Sequence, residues 1–344
     1  MTVLVTGGAG YIGSHMVWKL LDAGEDVVVI DRLSTGFRWA VPPAARFYLG
    51  DIADEALLQT IFAENRIDAI IHFAGSAVVP TSIEDPLSYY ENNTGKTRIL
   101  MSAAVSAGIR HFVFSSTAAV YGAQPADMPV SETALPRPES PYGQSKLMSE
   151  LMLRDAAAAY DFSYVALRYF NVAGADPEGR AGQSSQSATH LVKVACEAAL
   201  GCRHQVNIYG TDYPTHDGTG VRDYIHVSDL AEAHLLALRH LRGGGRSLVA
   251  NCGYGTGYSV LDVLNMVMRV HGRAFRIHIA PRRPGDAASV IADATLAQRE
   301  LGWTPKYNSL ETIVRSSLDW EIRLAKRAGL DADEPQLILA AQSA

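Results

Sequence analysis

The chain has 344 residues, which is enough for a sizeable core and for about two domains of ordinary size. Apolar residues make up 48% and charged residues 19% of the sequence, a composition typical of a globular rather than a disordered protein. The net charge of −6 gives no reason to expect nucleic acid or an anionic membrane as a partner. A phosphate-bearing ligand would therefore need local cationic groups.

The cysteines and the apolar runs indicate in which cellular compartment the protein is expected. Cys196, Cys202 and Cys252 are odd in number and lack metal-ligand spacing, so we expect free thiols and no metal site. The first predicted strand starts at Thr2, and no run of 18 apolar residues follows. We therefore expect neither a signal peptide nor a membrane helix, and a cytoplasmic location.

The first thirteen residues predict a strand, a glycine turn and the start of a helix. Residues 3–5 are apolar and β-prone, and Gly7, Gly10 and Gly13 follow in a Gly-x-x-Gly-x-x-Gly pattern. Backbone N–H groups at a helix N-terminus bind a pyrophosphate, because the helix dipole favours negative charge there. The pattern therefore predicts a dinucleotide site.

A second apolar strand, residues 27–31, ends in Asp31, which lies 18 residues after Gly13. An acid at this distance hydrogen-bonds the adenosine ribose and repels a 2′-phosphate, which favours NAD over NADP. Arg32 and Arg38 could accommodate that phosphate, but the charge of Asp31 lies at the strand tip itself. We therefore expect NAD.

The rest of the first half alternates apolar runs with amphipathic stretches. The runs are continuously apolar, as expected of parallel strands that are covered on both faces. Further strands are predicted at residues 46–50, 111–117 and 162–170, and residues 67–75 predict a strand with the turn that follows it. Long helices are predicted at 89–107 and 142–160, and a shorter one ends near Asn65.

After residue 170 this alternation breaks. Residues 174–190 read as a loop, and the elements at 190–200 and 206–219 as insertions, whereas 247–251 predicts a strand that returns to the sheet. The sequence thus predicts an α/β protein with a Rossmann-like doubly wound parallel sheet in residues 1–170, to which 222–252 return. A smaller mixed α/β domain is expected from 171–221 and 253–344, and it would bind the substrate.

One pair of side chains predicts chemistry. Tyr142 and Lys146 are four residues apart on one helical face. A tyrosine has an ordinary pKa of ~10, which a neighbouring lysine and the positive ring of NAD⁺ would lower. Thr117 ends a strand at the edge where open α/β sheets bind ligands, and could hydrogen-bond the same substrate hydroxyl. A tyrosine activated in this way can remove a proton from a carbinol during hydride transfer.

The wide glycine spacing together with Tyr142-x-x-x-Lys146 resembles the extended short-chain dehydrogenase/reductases. Within them the chain is similar to the NAD-dependent nucleotide-sugar epimerases, in the glycine turn and in residues 142–146, 167–171, 217–227 and 280–286. The resemblance implies interconversion of UDP-glucose and UDP-galactose. Hydride leaves C4 for tightly held NAD⁺, the 4-keto sugar turns about the phosphate linkage, and the hydride returns to the other face.

The resemblance also implies roles for individual residues. Tyr142 would be the base, Lys146 its activator and Thr117 its hydroxyl partner. The residues implied for the cofactor are Gly7, Gly10, Tyr11, Ile12, Gly13, Asp31, Arg32, Asp51, Ile52, Phe73, Ala74, Gly75, Asn92, Lys146 and Phe170. The residues implied for the UDP-sugar are Thr117, Tyr142, Tyr169, Asn171, His190, Leu191, Arg222, Arg283, Asp286 and Val290. The arginines would neutralise the diphosphate.

Four positions depart from the best-known members of the group. Thr117 stands where serine is common, and either hydroxyl suffices. Ala77 replaces a lysine that contacts the cofactor in some epimerases, and His190 an asparagine that contacts the substrate. Val290 aligns with a tyrosine in some epimerases and a small residue in others; a small residue widens the sugar pocket, so N-acetylated sugars could enter.

Several alternatives remain open. A UDP-pentose (arabinose/xylose) or UDP-N-acetylhexosamine 4-epimerase would have the same scaffold and mechanism. A 4,6-dehydratase would need an acidic pair after Thr117, where Ala118 and Ala119 stand. A non-catalytic NAD-binding regulator would be expected to lack the Tyr142 and Lys146 pair. The resemblance further implies a homodimer, formed through helices such as 89–107 and 142–160.

Overall fold

The computed structural model describes residues 1–124, 128–185, 188–283 and 286–327. Pro284 and Gly285 of the 280–286 motif, residues 186 and 187 of the predicted loop, and residues 328–344 of the predicted second domain lie outside the described residues.

The described chain contains thirteen strands and eleven helices in α conformation. The strands are β1 Thr2–Thr6, β2 Asp26–Asp31, β3 Arg46–Leu49, β4 Ile67–His72, β5 His111–Thr117, β6 Ser163–Tyr169, β7 Asn171–Ala173, β8 Val206–Tyr209, β9 Val221–His226, β10 Leu248–Cys252, β11 Gly257–Ser259, β12 Ile277–Ala280 and β13 Ser289–Val290. The helices are α1 Tyr11–Asp22, α2 Glu55–Glu64, α3 Val79–Glu84, α4 Pro86–Tyr89, α5 Lys96–Ser106, α6 Pro141–Ala159, α7 Leu191–Ala199, α8 Val227–Arg242, α9 Val260–His271, α10 Thr295–Leu301 and α11 Leu310–Arg327.

Seven strands form one sheet, in the order β10-β6-β5-β4-β1-β2-β3. Every neighbouring pair is parallel. Alternate side chains of a strand point to opposite faces, so Val3 and Val5 pack with α1 and α8, whereas Leu4 packs with α2, α5 and α6. The expected doubly wound parallel sheet is confirmed, and the predicted return of the chain after residue 247 corresponds to β10 beside β6.

The predicted helix at 89–107 has a more complex form. The chain runs from α4 through a π-helical turn, Tyr90–Gly95, into α5. A π turn holds one more residue than an α turn and is frequent at functional sites. Here it reorients Asn92 and Asn93, and both side chains hydrogen-bond Ser76 after β4.

A second, smaller region follows β6. Strand β9 pairs with β7, β11 and β13, while β8 pairs with β12. Helices α7, α9 and α11 bury their own apolar cluster, which includes Val192, Val263 and Ile313. Residues 222–252 divide between the two regions, because β9 belongs to the small sheet whereas α8 and β10 pack on the large one.

None of the helices within the described ranges combines the length and the apolar character needed to span a bilayer.

Candidate active site and cofactor cleft

The glycine turn brings backbone against backbone at the carboxyl edge of the sheet. Gly7 has φ +69°, and a Cβ there would lie 2.7 Å from the amide nitrogen of Ala74. A Cβ on Gly13 would lie 2.1 Å from the carbonyl oxygen of Gly7. Both positions therefore require glycine.

Gly10 differs from these two glycines. A Cβ on Gly10 would meet only the Gly7 carbonyl oxygen, at 3.3 Å, so its outer side is open. Helix α1 starts at this residue with no side-chain cap and no acidic residue in its first turn. The first N–H groups of α1 are thus available to an anion, and the turn fits the pyrophosphate of a dinucleotide.

Two other residues of this turn face protein. The Tyr11 hydroxyl donates to the Gly174 carbonyl at 2.6 Å, which ties the start of α1 to the second region. Ile12 packs against the core on the α1 face of the sheet. The side chain of Tyr11 therefore holds the start of α1 in place. Any contact between Tyr11 and a cofactor would come from the backbone of this residue.

Carboxylates lie at the ends of two neighbouring strands: Asp31 is the last residue of β2, and Asp51 lies two residues after β3. The two oxygens of Asp31 accept from the amides of Ala9 (2.9 Å) and Leu33 (2.8 Å), which anchors the glycine turn to β2. Asp51 lies 2.5 Å from Lys96 Nζ and 3.3 Å from Arg32. Partial burial acts to raise the pKa of Asp51, but these cations hold it below its ordinary value. Ile52 beside it is buried.

A buried hydrogen-bond relay joins the strands under the cleft. His72 at the end of β4 contacts Thr6 through Nδ1 (2.6 Å) and Thr97 through Nε2 (2.8 Å). The Thr97 hydroxyl donates to the Asn93 carbonyl, so His72 donates from Nε2 and accepts at Nδ1. Burial lowers the pKa of His72 to about 3, so this histidine is neutral.

Asn93 links the loop after β4 to α6. Its Oδ1 accepts from the Ser76 amide at 2.7 Å, and its Nδ2 donates to Ser76 O and Ser145 Oγ at 3.0 Å each. A Cβ on Gly75 would lie 3.0 Å from Asn93 Oδ1 and 3.6 Å from Lys146 Nζ, so the loop after β4 passes close to both side chains. Phe73, at the start of this loop, packs its ring 4.8 Å from that of His234.

Tyr142 and Lys146 lie in the first turns of α6, which Ser140 caps by accepting from the Gly143 amide. Both side chains are buried. Burial raises the pKa of Tyr142, and hydrogen bonding with the Thr117 hydroxyl acts to lower it. In the free protein Tyr142 is therefore a phenol, and a phenolate needs a further positive charge in the cleft.

Lys146 directs its ammonium group at β5. Its Nζ donates to the Ser115 carbonyl at 3.0 Å and lies 4.9 Å from the centre of the Phe114 ring. Burial lowers the pKa of Lys146 to about 8, whereas Glu150 acts to raise it. The lysine is thus mainly cationic at neutral pH. The Tyr169 hydroxyl and Ser115 Oγ share a 2.5 Å hydrogen bond beside it.

Some of the side chains implied for the substrate lie on or beside β9 and β13, and others lie near β8. Val290 pairs with Arg222 in the register of these strands, and Arg222 lies 3.7 Å from Asp286. Val290 and the buried Phe170 belong to one apolar cluster. Arg283 places its guanidinium 3.6 Å from the centre of the Tyr209 ring.

Three further residues implied for the substrate lie at the start of β7 and at the start of α7. Asn171 is exposed at the start of β7. His190 precedes α7, where Gln183 Nε2 donates to its Nδ1 at 2.7 Å, and Leu191 is the first residue of the helix. The roles of Asn93, His72, Lys96 and Tyr209 could not be predicted from the sequence, because they depend on partners that are distant along the chain.

The glycine turn generates a paired prediction. Gly10→Ala should keep the thermal stability of the protein within about 1 kcal/mol, since its Cβ meets a single atom, but should lower the amount of co-purified dinucleotide. Gly13→Ala should lower both, because its Cβ collides with the Gly7 carbonyl. Thermal unfolding and the nucleotide released on denaturation measure the two effects. Equal dinucleotide content in Gly10→Ala and the native protein would contradict the placement of the pyrophosphate.

Known proteins that bind NAD are similar to this chain in sequence and in structure. Residues 3–253 match the model of the NAD dependent epimerase/dehydratase family. A UDP-glucose 4-epimerase of Azospirillum brasilense is 55% identical over 327 residues, which cover 95% of this chain and 94% of the relative. The UDP-glucose 4-epimerase of Brucella ovis in complex with NAD is 44% identical, with a TM-score of 0.89 over 92% of this chain and 97% of that one. That of Bifidobacterium longum in complex with NAD⁺ and UDP is 39% identical, with a TM-score of 0.89 over 94% and 98%. This chain therefore belongs to the NAD dependent epimerase/dehydratase family.

Proposed function

We infer that this protein interconverts UDP-glucose and UDP-galactose as an NAD-dependent 4-epimerase. The observation that carries the inference is the placement of Tyr142, Thr117 and Lys146 together at the carboxyl edge of a dinucleotide-binding sheet. Relatives that bear this activity align with more than nine-tenths of the chain. The alignment therefore covers both the cofactor cleft and the region around β9.

The reaction divides between the cofactor and the side chains. NAD, which the residues of the glycine turn and the ends of β2 and β4 would hold, would supply a reversible hydride acceptor for C4 of the sugar. Tyr142 removes the proton of the 4-hydroxyl as the C4–H bond breaks and returns it when that bond reforms. Thr117 holds the same oxygen through its hydroxyl. Lys146 contributes the positive charge that stabilises the Tyr142 phenolate, added to that of the oxidised nicotinamide.

Local arginines supply the charge that a UDP-sugar requires. The protein as a whole carries −6, so its overall field does not attract a diphosphate. Arg222 lies 3.7 Å from Asp286, a contact too long for a tight ion pair, and Arg283 rests on the Tyr209 ring. We propose that these guanidinium groups bind the diphosphate, and that Asp286, Asn171, Tyr169, His190 and Leu191 line the rest of the substrate site.

The 4-keto sugar must rotate within the site without dissociating from it. It stays bound through its diphosphate, so the contacts of Arg222 and Arg283 persist while those of the sugar ring change. Val290 beside Phe170 leaves the pocket wider than a tyrosine would. The proposed pocket therefore gives the ring room to rotate.

Tyr142→Phe tests the proposed base. The variant should retain its fold and bound NAD and lose turnover by about 10²-fold or more, the usual worth of a general base. In the native protein, a UDP-sugar added to the purified enzyme should produce the absorbance of reduced nicotinamide, and in the variant it should not. Tyr160→Phe, at an exposed tyrosine beyond the same helix, is the matched control. Full activity of Tyr142→Phe would defeat the mechanism.

Val290→Tyr tests the width of the sugar pocket. The larger ring should reduce turnover of UDP-N-acetylgalactosamine selectively, by roughly 10-fold or more relative to UDP-galactose. Leu135→Tyr, at an exposed leucine in the segment before α6, controls for the added tyrosine. If the ratio of the two activities stays unchanged, Val290 does not face the N-acetyl group.

A separate experiment identifies which UDP-sugar the protein prefers. A pentose lacks the hydroxymethyl group of a hexose, a difference of one carbon and one oxygen within the same mechanism. A coupled assay with UDP-glucose, UDP-N-acetylglucosamine and UDP-xylose side by side separates these substrates. We propose the hexose reaction as the main activity; a higher kcat/KM for UDP-xylose would instead favour the pentose epimerase.

We further propose that the protein is a homodimer. Ile83, Leu87, Met148 and Leu151 expose 60%, 77%, 38% and 41% of their surface on helices α3, α4 and α6, which pack side by side. Exposed apolar side chains clustered on adjacent helices are typical of an interaction surface. A second copy of this chain would cover them symmetrically.

Leu87→Glu combined with Met148→Glu should convert the dimer into a monomer, because both charges would be buried at the interface. Analytical ultracentrifugation measures the change. Leu135→Glu, which adds a charge at an exposed leucine outside these helices, should leave the sedimentation unchanged. An unaltered dimer in the double variant would place the interface elsewhere.

A further inference from the structure

A buried ion pair lies beneath the catalytic helix. Glu150 on α6 and Arg168 on β6 are both buried and form two hydrogen bonds, Nε to Oε1 at 2.9 Å and a terminal nitrogen to Oε2 at 2.5 Å. Ser116 Oγ donates to Oε1 at 2.5 Å as a third contact. The carboxylate is thus fixed from two neighbouring strands.

This pair touches both segments that carry the catalytic groups. Glu150 lies one helical turn after Lys146 and two turns after Tyr142, so the three share one side of α6. Ser116 lies between Ser115, whose carbonyl accepts from Lys146, and Thr117. A shift of the carboxylate would therefore move α6 relative to the end of β5.

The other side of Arg168 is also held. Its guanidinium lies 4.8 Å from the centre of the Tyr121 ring, and the Tyr121 hydroxyl donates to Asn251 Oδ1 on β10 at 2.7 Å. A buried ion pair of this kind is often no more stabilising than apolar residues of the same volume. The position of this ion pair, beneath the helix that carries Tyr142 and Lys146, therefore needs an explanation other than stability.

The charges around Lys146 supply that explanation. The described groups that face its ammonium are Glu150 on its own helix, His72 on β4, and the Ser115 carbonyl and Phe114 ring on β5. Tyr142 lies one turn before Lys146 on α6. His72 and Tyr142 are neutral in the free protein, for the reasons given above. Within this set, Glu150 carries the single negative charge, and it opposes the effect of burial on the pKa of Lys146. The cation of Arg168 lies beyond the carboxylate and moderates it.

We propose that Glu150, clamped by Arg168 and Ser116, is a positioning residue that keeps Lys146 cationic and aligned with Ser115 and Thr117. The proposal rests on the proposed function, since Lys146 is its point of action. Glu150 acts through Lys146 and contacts neither the cofactor nor the sugar. Its removal should therefore change the pH dependence of the reaction more than the binding of substrate.

Glu150→Gln tests the charge while keeping the shape of the side chain. The pKa of Lys146 should fall, so the alkaline limb of the kcat profile should move to lower pH by about one unit, with KM for the UDP-sugar little changed. Because Glu150→Gln leaves Arg168 unpaired and could fail to fold, Glu150→Gln combined with Arg168→Met is the second variant. It leaves neither charge of the pair behind and should show a downward shift that is smaller than in Glu150→Gln, because the cation that moderates Glu150 is lost as well.

Ser116→Ala is the matched control. It removes one hydrogen bond from the same carboxylate without altering its charge, so it should lower the stability of the protein and leave the alkaline limb in place. NMR titration of ¹³C-labelled lysine in the NAD-bound protein, assigned with Lys146→Met, provides a readout independent of turnover. The Lys146 signal should titrate at lower pH in both Glu150→Gln variants.

Two results would overturn the proposal: an unshifted Lys146 titration in a folded Glu150→Gln variant, or an equal shift in Ser116→Ala. Failure of the proposed function looks different. The native protein would then show no epimerase activity at any pH, while the Lys146 titration would still respond to Glu150.

Discussion

The burial of two ionisable groups, Tyr142 and Lys146, within one turn of α6 is the constraint on which the site depends. Burial raises the pKa of the phenol and lowers that of the ammonium, so each is driven toward its neutral form. The reaction needs the opposite state, a phenolate beside a cation. We propose that the oxidised nicotinamide of a bound dinucleotide, whose pyrophosphate the glycine turn would hold, supplies the missing positive charge.

Burial also constrains the polar groups under the cleft. Buried hydrogen-bonding groups are costly unless they are paired, and those found here are paired in defined directions. His72 accepts from Thr6 and donates to Thr97, and Asn93 joins the loop after β4 to α6. These contacts fix β1, β4, α5 and α6 relative to one another. They thereby hold in place the edge of the sheet at which we propose that the cofactor and the base lie.

The sequence predicted the elements whose signal is local. The apolar run of β5, the glycine turn and the shared face of Tyr142 and Lys146 depend on neighbouring residues, and the parallel sheet that they imply is confirmed. The π-helical turn at Tyr90–Gly95 was read as part of a regular helix, because nothing in its composition distinguishes it. The polarity of Asn92 and Asn93 on a packing helix was the available signal. The roles of Asn93, Lys96 and Tyr209 depend on Ser76, Asp51 and Arg283, which only the fold brings near.

The central claim is that hydride leaves C4 and returns to it within one closed site, and isotopic labelling tests it most directly. Purified protein without added NAD should convert UDP-glucose carrying deuterium at C4 into UDP-galactose that retains the deuterium at C4. Mass spectrometry and NMR of the product measure this retention. Loss of the deuterium to solvent, or a strict requirement for added NAD in each turnover, would contradict the account.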